Sequence, residues 1–524
     1  MAGKPAYYVT TPIYYVNDEP HIGHAYTTLA CDALARFKRL DGCDVRFLTG
    51  TDEHGQKVEK AAADAGVDPQ SFTDRISGNF RRLAETMNFS NDDFIRTTEP
   101  RHHKSVQAIW NAIAANTSPK GNDNIYLDKY AGWYAVRDEA FYAEDELKDG
   151  PDGGKLAPTG APVEWVEEPS YFFRLSDWQD ALLEFYETNP DAVAPRSRRN
   201  EVTSFVEGGL KDLSISRTTF KWGIPVPGDE AHIMYVWLDA LTNYVTAAGY
   251  PDTASEDFTK FWPADLHMVG KDILRFHAVY WPAFLMAAGL EPPKRVYAHG
   301  WWTNEGQKIS KSVGNVIDPF DLVEKYGLDP VRYFLLREVP FGNDGDYSNQ
   351  AMINRLNSDL ANDLGNLCQR VLSMVGKNCD ASVPVPGDIS EADTALLDAA
   401  SALLDKSRAA FDRQQFHTAL ISIWEVIGDA NRYVDAQEPW KLRKEDPARM
   451  ATVLYVLADT IRQLGILVQP FMPESGAKIL DQLAVPDDAR DFDALGTRLT
   501  GGAALPKPQP VFPRYVDPDA EEKG

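Results

Sequence analysis

The chain has 524 residues, which at roughly 150 residues per domain means about three or four domains and excludes a single small binding module. Hydrophobic residues make up 44% and charged residues 25%, a composition that excludes wholesale disorder. The formal net charge of −25 argues against non-specific polyanion binding, which needs a surplus of Lys and Arg. A local exception lies between Pro195 and Trp222, where Arg196, Arg198, Arg199, Lys211, Arg217 and Lys221 stand against Glu201, Glu207 and Asp212. This stretch reads equally as a solvated face or as a stripe for a nucleic acid. No run approaches about 18 consecutive apolar residues, and Met1 to Tyr8 has no secretory pattern, so a cytoplasmic protein with no membrane partner is expected. Four dispersed cysteines (Cys31, Cys43, Cys368, Cys379) form no disulfide framework or metal knuckle.

From the N-terminus, Tyr7 to Tyr15 is rich in β-branched and aromatic residues and reads as a strand. A helical pattern then runs from His24 through Tyr26, Leu29, Ala33, Phe37 and Leu40 to a stop at Gly42, and Val45 to Leu48 is a second strand. Strand, helix and strand with short links predict a right-handed crossover and a doubly wound parallel sheet of the Rossmann-like α/β class. A second α/β stretch has strands at Ile233 to Val236, Leu266 to Val269 and Val296 to His299, with a helix over Asp272 to Ala288. The sheet is therefore expected to be split, with residues 1–115 and 218–348 as its halves and 116–217 as an insertion of mixed β segments. Beyond 349 the apolar period becomes helical, as in Leu396, Ala400, Leu403, Leu404 and Phe411, then Phe416, Leu420, Ile423, Trp424 and Ile427, then Leu457, Ile461 and Leu464. An all-α bundle over 349–504 follows, with a Pro-rich tail over 505–524 whose last residues have little to order them.

Two clusters carry chemistry. His21-Ile22-Gly23-His24 stands where the first strand feeds the first helix, the place where such sheets bind phosphates; Gly23 leaves room for a nucleotide beside the backbone. Lys308-Ile309-Ser310-Lys311-Ser312, bounded by Gly306 and Gly314, is a cationic loop able to close on a triphosphate. Either cluster alone is also compatible with a plain structural role. Their order along one chain is the specific signal.

Here the sequence resembles the class I aminoacyl-tRNA synthetases, whose HIGH and KMSKS signatures these clusters match, with Ile309 in place of the usual Met. The surrounding runs are similar to the methionyl-tRNA synthetases over nearly the whole chain: Tyr14-Tyr15-Val16-Asn17-Asp18-Glu19-Pro20, Thr49-Gly50-Thr51-Asp52-Glu53-His54-Gly55, Val236-Trp237-Leu238-Asp239-Ala240, Gly270-Lys271-Asp272-Ile273 with Phe276-His277, and His299-Gly300-Trp301. The resemblance implies ATP-dependent joining of L-methionine to tRNA(Met) through a methionyl-adenylate, with Mg²⁺ accompanying ATP. It implies catalytic roles for His21, His24, Lys308 and Lys311, and ATP contacts from these with Gly23, Ser310 and Ser312. It places methionine among Ile13, Tyr15, Asp52, Trp237, Ala240, Tyr244, Asp272, Ile273 and His277. Asp52 takes the ammonium or helps place the tRNA end, and Asp272 shapes the pocket or merely caps its helix. Arg217 matches an arginine used near the phosphates or the acceptor end. Asn366, Arg370 and Trp440 match anticodon-reading positions, where bases are stacked and hydrogen bonded.

Residues 116–217 contain neither Cys nor His, so a zinc knuckle has no ligands there and the resemblance is to the metal-free branch of the family. Trp133, Tyr134, Phe141, Tyr142, Trp165, Tyr171, Phe172 and Phe173 are expected to fill the insertion instead. No appended C-terminal dimerisation domain is recognisable, and a monomer is expected. The insertion is too short for the editing domain of the branched-chain synthetases. A small nucleotidyltransferase would have no use for the helical part, and a tRNA-binding module without catalysis would not need both basic clusters.

Overall fold

The opening apolar run forms a strand, Ala6–Thr10, stops at Pro12, which has no N–H to give a ladder, and resumes only as Tyr14–Tyr15. The single strand expected over 7–15 is thus two, both paired in parallel with Asp44–Asp52. The computed structural model describes residues 4–16, 19–138, 140–150, 153–309 and 314–516. Its central sheet has seven strands in the order Val193–Ala194, Val296–His299, Leu266–Gly270, Ala6–Thr10, Asp44–Asp52, with Tyr14–Tyr15 and Asp93–Arg96 both pairing with the last. Every ladder among them is parallel. Gly50 is required at this junction: a Cβ there would lie 2.0 Å from the Ile95 carbonyl oxygen, so any side chain would push Asp93–Arg96 off the sheet.

The first long helix is Ile22–Leu40, two residues longer at its start than its apolar period predicts, because His21 caps it. The helix expected over 272–288 comes in pieces: a 3₁₀ turn at Lys271–Ile273, a π-type turn at Phe276–Tyr280 and an α-helix at Trp281–Ala287. Pro282 explains the irregularity, since it cannot donate to Ala278, and that freed carbonyl accepts from the Tyr186 hydroxyl at 2.5 Å instead.

The run expected as a parallel strand at Ile233 to Val236 belongs elsewhere. Asp229–Met234 pairs antiparallel with Ser216–Arg217 and Pro225–Val226 in a separate small sheet. The insertion's own sheet joins Ile125–Ala135, Ala140–Tyr142, Glu164–Phe173 and Leu213–Ser214 in antiparallel pairs. Trp133 and Trp165 meet edge to face at 5.4 Å, but Trp165 is 55% exposed rather than filling a core, because a thin sheet has an outer face. Within 116–217, Val193–Ala194 returns to the edge of the parallel sheet.

The helical part runs from Asn349 to Asn378 without a break in helical hydrogen bonding, then through Glu391–Ser401, Leu403–Phe411, Phe416–Gln437, Pro439–Glu445, Pro447–Val468 and Pro473–Gln482. Among the described residues one helix, Pro447–Val468, is long and apolar enough by length and composition to cross a membrane, although Asp459 and Arg462 interrupt its apolar run. It is the core helix of the bundle, and every residue from Thr452 to Val468 is buried. The tail is docked as far as it is described: Val511 and Phe512 are buried, and Asn357 exchanges two hydrogen bonds with the Tyr515 backbone. The last residues of the tail lie outside the described residues.

Sheet and bundle share one apolar core that contains Val9, Phe47 and Met268 from the sheet, Phe37 from the first helix and Phe411, Leu457 and Phe471 from the bundle. Inside it, Arg332 pairs with Asp32 at 2.7 Å, both side chains fully buried, and also donates to the carbonyls of Met87, Pro470 and Phe471. The helix that starts at His21 is thereby tied to the bundle.

Candidate active site

His21 is the N-cap of the first long helix. Its Nδ1 accepts from the Gly23 N–H at 3.1 Å, while Nδ1 of His24 accepts from the His21 N–H at 3.2 Å. Because both Nδ1 atoms accept, each proton sits on Nε2, and the two rings stack at 3.8 Å as a pair of neutral donors. Burial pushes both imidazoles down, that of His24 well below its ordinary value with His21 adding to the effect, while Asp272 opposes the shift at His21. Gly23 keeps the ring pair in place, since a Cβ there would lie 2.9 Å from the His21 ring.

These rings open onto a cavity of about 350 Å³ at the C-terminal ends of the parallel strands. Twelve of the residues singled out in the sequence line it: Ile13, Tyr15, His21, Gly23, His24, Asp52, Trp237, Ala240, Tyr244, Asp272, Ile273 and His277. One wall is aromatic, with Trp237 stacked on Phe276 at 3.7 Å and edge to face with His277. At the floor the Tyr244 hydroxyl donates to Nε2 of His277 at 2.7 Å, and Nδ1 of His277 donates to the Ile273 carbonyl. Burial pushes His277 down to about 4, so it too is neutral. Below it Tyr244 stacks on His267 at 4.0 Å, which accepts from the Trp281 indole.

Thr27, Asn243, His299 and Trp301 also line the cavity and were assigned no role from sequence. His299 and Trp301 stood in a family-like run, and that was their only signal. His299 bonds Thr27 of the first long helix at 2.8 Å. Trp301 sits at the mouth: its indole N–H donates to Asp272 at 3.1 Å, Lys271 lies 4.3 Å from its ring and Lys308 5.9 Å. Lys308 therefore stands near the cavity mouth beside Trp301, exposed on the short strand Gln307–Lys308. Ser310, Lys311 and Ser312 lie outside the described residues.

Arg217 does not line this cavity. It is buried, donates to the Ser214 hydroxyl at 2.7 Å and to the Ser216 carbonyl, and lies 4.7 Å from the Tyr235 ring, joining the insertion to the small sheet. In the bundle Asn366 is exposed, Arg370 pairs with Asp435 at 2.8 Å, and Trp440 is 43% exposed at the start of Pro439–Glu445. Among the described residues no group of three His, Cys, Asp or Glu side chains is placed to hold a metal.

Residues 7–372 match the family description "tRNA synthetases class I (M)", and 383–523 match "Anticodon binding domain of methionyl tRNA ligase". The chain belongs to the class I methionyl-tRNA synthetases. The methionine–tRNA ligase of Brucella suis biovar 1 (strain 1330) is 62% identical over 519 residues, covering 99% of each chain, and that of Rhizobium meliloti (strain 1021) is 58% identical over 522 residues, covering 99% of this chain and 100% of the other. Among solved structures, the Mycobacterium tuberculosis methionyl-tRNA synthetase in complex with methionyl-adenylate superposes with a TM-score of 0.94 at 57% identity, over 97% of this chain and 100% of that one. The free form of the M. tuberculosis synthetase gives a TM-score of 0.89 at 53% identity, over 99% and 100%. The synthetase match ends at 372, so Asn366 and Arg370 fall inside it, on the helix that carries the chain from the catalytic half into the bundle.

Proposed function

We infer that this chain is a methionine–tRNA ligase that activates L-methionine with ATP and transfers it to tRNA(Met), serving initiation and elongation of translation. The observation that carries this reading is the cavity in which the paired imidazoles of the first signature meet an aromatic wall. In the first step a methionine carboxylate oxygen bonds to the α-phosphorus of ATP and the bond to the β-phosphate oxygen breaks, releasing pyrophosphate. Nε2–H of His21 and of His24 donates to phosphate oxygens, a role that neutral imidazoles fill without a desolvated cation. Lys308 and Lys311, with Ser310 and Ser312, hold the leaving pyrophosphate, and Mg²⁺ arrives with the triphosphate as part of that substrate. In the second step a ribose hydroxyl of the terminal tRNA adenosine bonds to the carbonyl carbon and AMP leaves.

Asp52 offsets the ammonium of methionine, and Ile13, Tyr15, Trp237, Ala240, Tyr244, Ile273 and His277 enclose its side chain, with Asp272 holding the mouth through Trp301. Sulfur against these rings contributes about 0.3–1.5 kcal/mol per contact, so the pocket discriminates modestly against unbranched analogues. Asn366, Arg370 and Trp440 serve the anticodon loop. The insertion needs no zinc, and the protein acts as a cytoplasmic monomer. ATP–pyrophosphate exchange against a panel of amino acids tests the reading: methionine is expected to drive exchange far above all others, and exchange driven equally by leucine or valine overturns it.

A further inference from the structure

Behind the cavity lies a buried cluster that the two-step reaction does not use. Asp239 is 1% exposed; its Oδ2 takes Nδ1 of His54 at 2.6 Å and its Oδ1 takes Nε2 of His102 at 2.8 Å. Burial pushes the Asp239 carboxyl up, but the two imidazoles outweigh it and hold the carboxyl well below its usual range. Each partner is tied to a different part of the cavity wall. His54 follows Asp52 by two residues, and its carbonyl accepts the Tyr15 hydroxyl at 3.2 Å. Asp239 lies on the helix Val236–Leu241, between Trp237 and Ala240. His102, on Pro100–Ala115, bonds the Thr246 hydroxyl at 3.2 Å, and Thr246 shares the helix Asn243–Ala248 with Tyr244.

We propose that Asp239 is a positioning residue that sets the spacing between the Asp52 end and the Trp237–Tyr244 end of the amino-acid pocket, through His54 on one side and His102 on the other. The proposal rests on the ligase reading given above. A carboxylate suits the position because it accepts two N–H groups at once. An amide offers one oxygen and turns its NH₂ against the second donor, leaving one buried N–H unpaired. The consequence falls on methionine: the ATP side of the cavity is built on the His21–His24 cap, which has no hydrogen bond to this cluster.

The test is steady-state pyrophosphate exchange with the full-length protein, varying methionine and ATP separately. Asp239→Asn is expected to raise the methionine KM about tenfold while the ATP KM stays within about twofold, the loss of one well-placed buried hydrogen bond being of that size. His102→Leu is expected to raise the methionine KM by a smaller factor, and His102→Gln, which keeps an N–H for Asp239, to bring it back toward the unmodified value. A methionine KM unchanged in Asp239→Asn, or methionine and ATP KM rising together, overturns the proposal. So does His102→Gln behaving like His102→Leu, and that pair decides the matter if Asp239→Asn fails to fold. Failure of the unmodified protein to exchange with methionine would instead remove the ligase reading before any variant is made.

Discussion

Around the cavity each imidazole has an identified partner: His21 and His24 cap a helix, His277 is held by Tyr244 and Ile273, and His299 by Thr27 and Gly300. In the bundle Asn366 and Trp440 stand exposed, and Arg370 has a single surface ion pair. The contrast fits the roles proposed for these residues. Phosphate transfer needs donors fixed before the reaction, which demands burial and mutual support, whereas unpaired bases are recognised by planes and amides that must be open to solvent.

The two signatures carry the largest effects: His24→Ala in the wired cavity is expected to slow pyrophosphate exchange about a thousandfold, and Lys311→Ala in the second signature to slow it by orders of magnitude with methionine affinity nearly unchanged. Exchange at the normal rate in either variant would remove that residue from the reaction. Next is the weld between the regions. Arg332→Met leaves the Asp32 carboxylate buried without its main partner and is expected to cost about 3–5 kcal/mol in urea unfolding; a loss under about 1 kcal/mol would mean the two regions do not depend on this pair.

A smaller effect comes from acid. The folded-state value of His277, about 4, lies below its unfolded value of about 6.5, so the unfolded chain takes up the proton first as pH falls. Its stabilising contribution is intact above pH 6.5 and is lost between pH 6.5 and 4, on the order of 2 kcal/mol by pH 5. His21, His24, His267 and His299 shift the same way for the same reason, burial. In the bundle, half-buried His417 moves in this direction too, whereas Asp393, held by Arg449 and Tyr433 against the effect of burial, loses its contribution only below the ordinary carboxylate range. Thermal melts at pH 7.5 and 5 should therefore show destabilisation reduced in a His277→Gln variant; an unchanged pH dependence would show that His277 is not a source of it. The smallest expected effect is Trp440→Ala, which should weaken tRNA charging about tenfold, the value of one stacked base, and leave exchange intact. Equal loss in both assays would make Trp440 a structural residue.

The His21 cap, the parallel-sheet class and the helical bundle were legible because each depends on local order: a strand feeding a helix at His21 and an apolar stripe repeating at three and four. So was the list of residues around the cavity, which came through family-like runs. Arg217 was not legible. The resemblance gave it a ligand role without saying what surrounds it, and only the folded chain shows it buried beside Ser214, Ser216 and Tyr235. Trp165 failed in the opposite direction, since an aromatic in a strand does not say which face of a two-sided sheet it will take.

By itself the sequence determined what kinds of groups are present and which turns and periods they sit in, because capping, helical repeat and proline geometry act within a few residues. The tertiary structure alone decided that His54, His102 and Asp239, up to 185 positions apart, meet around one carboxylate, and that Asp32 and Arg332 close a core across 300. A buried charge must find its partner wherever the fold brings one, and no spacing along the chain records where that is.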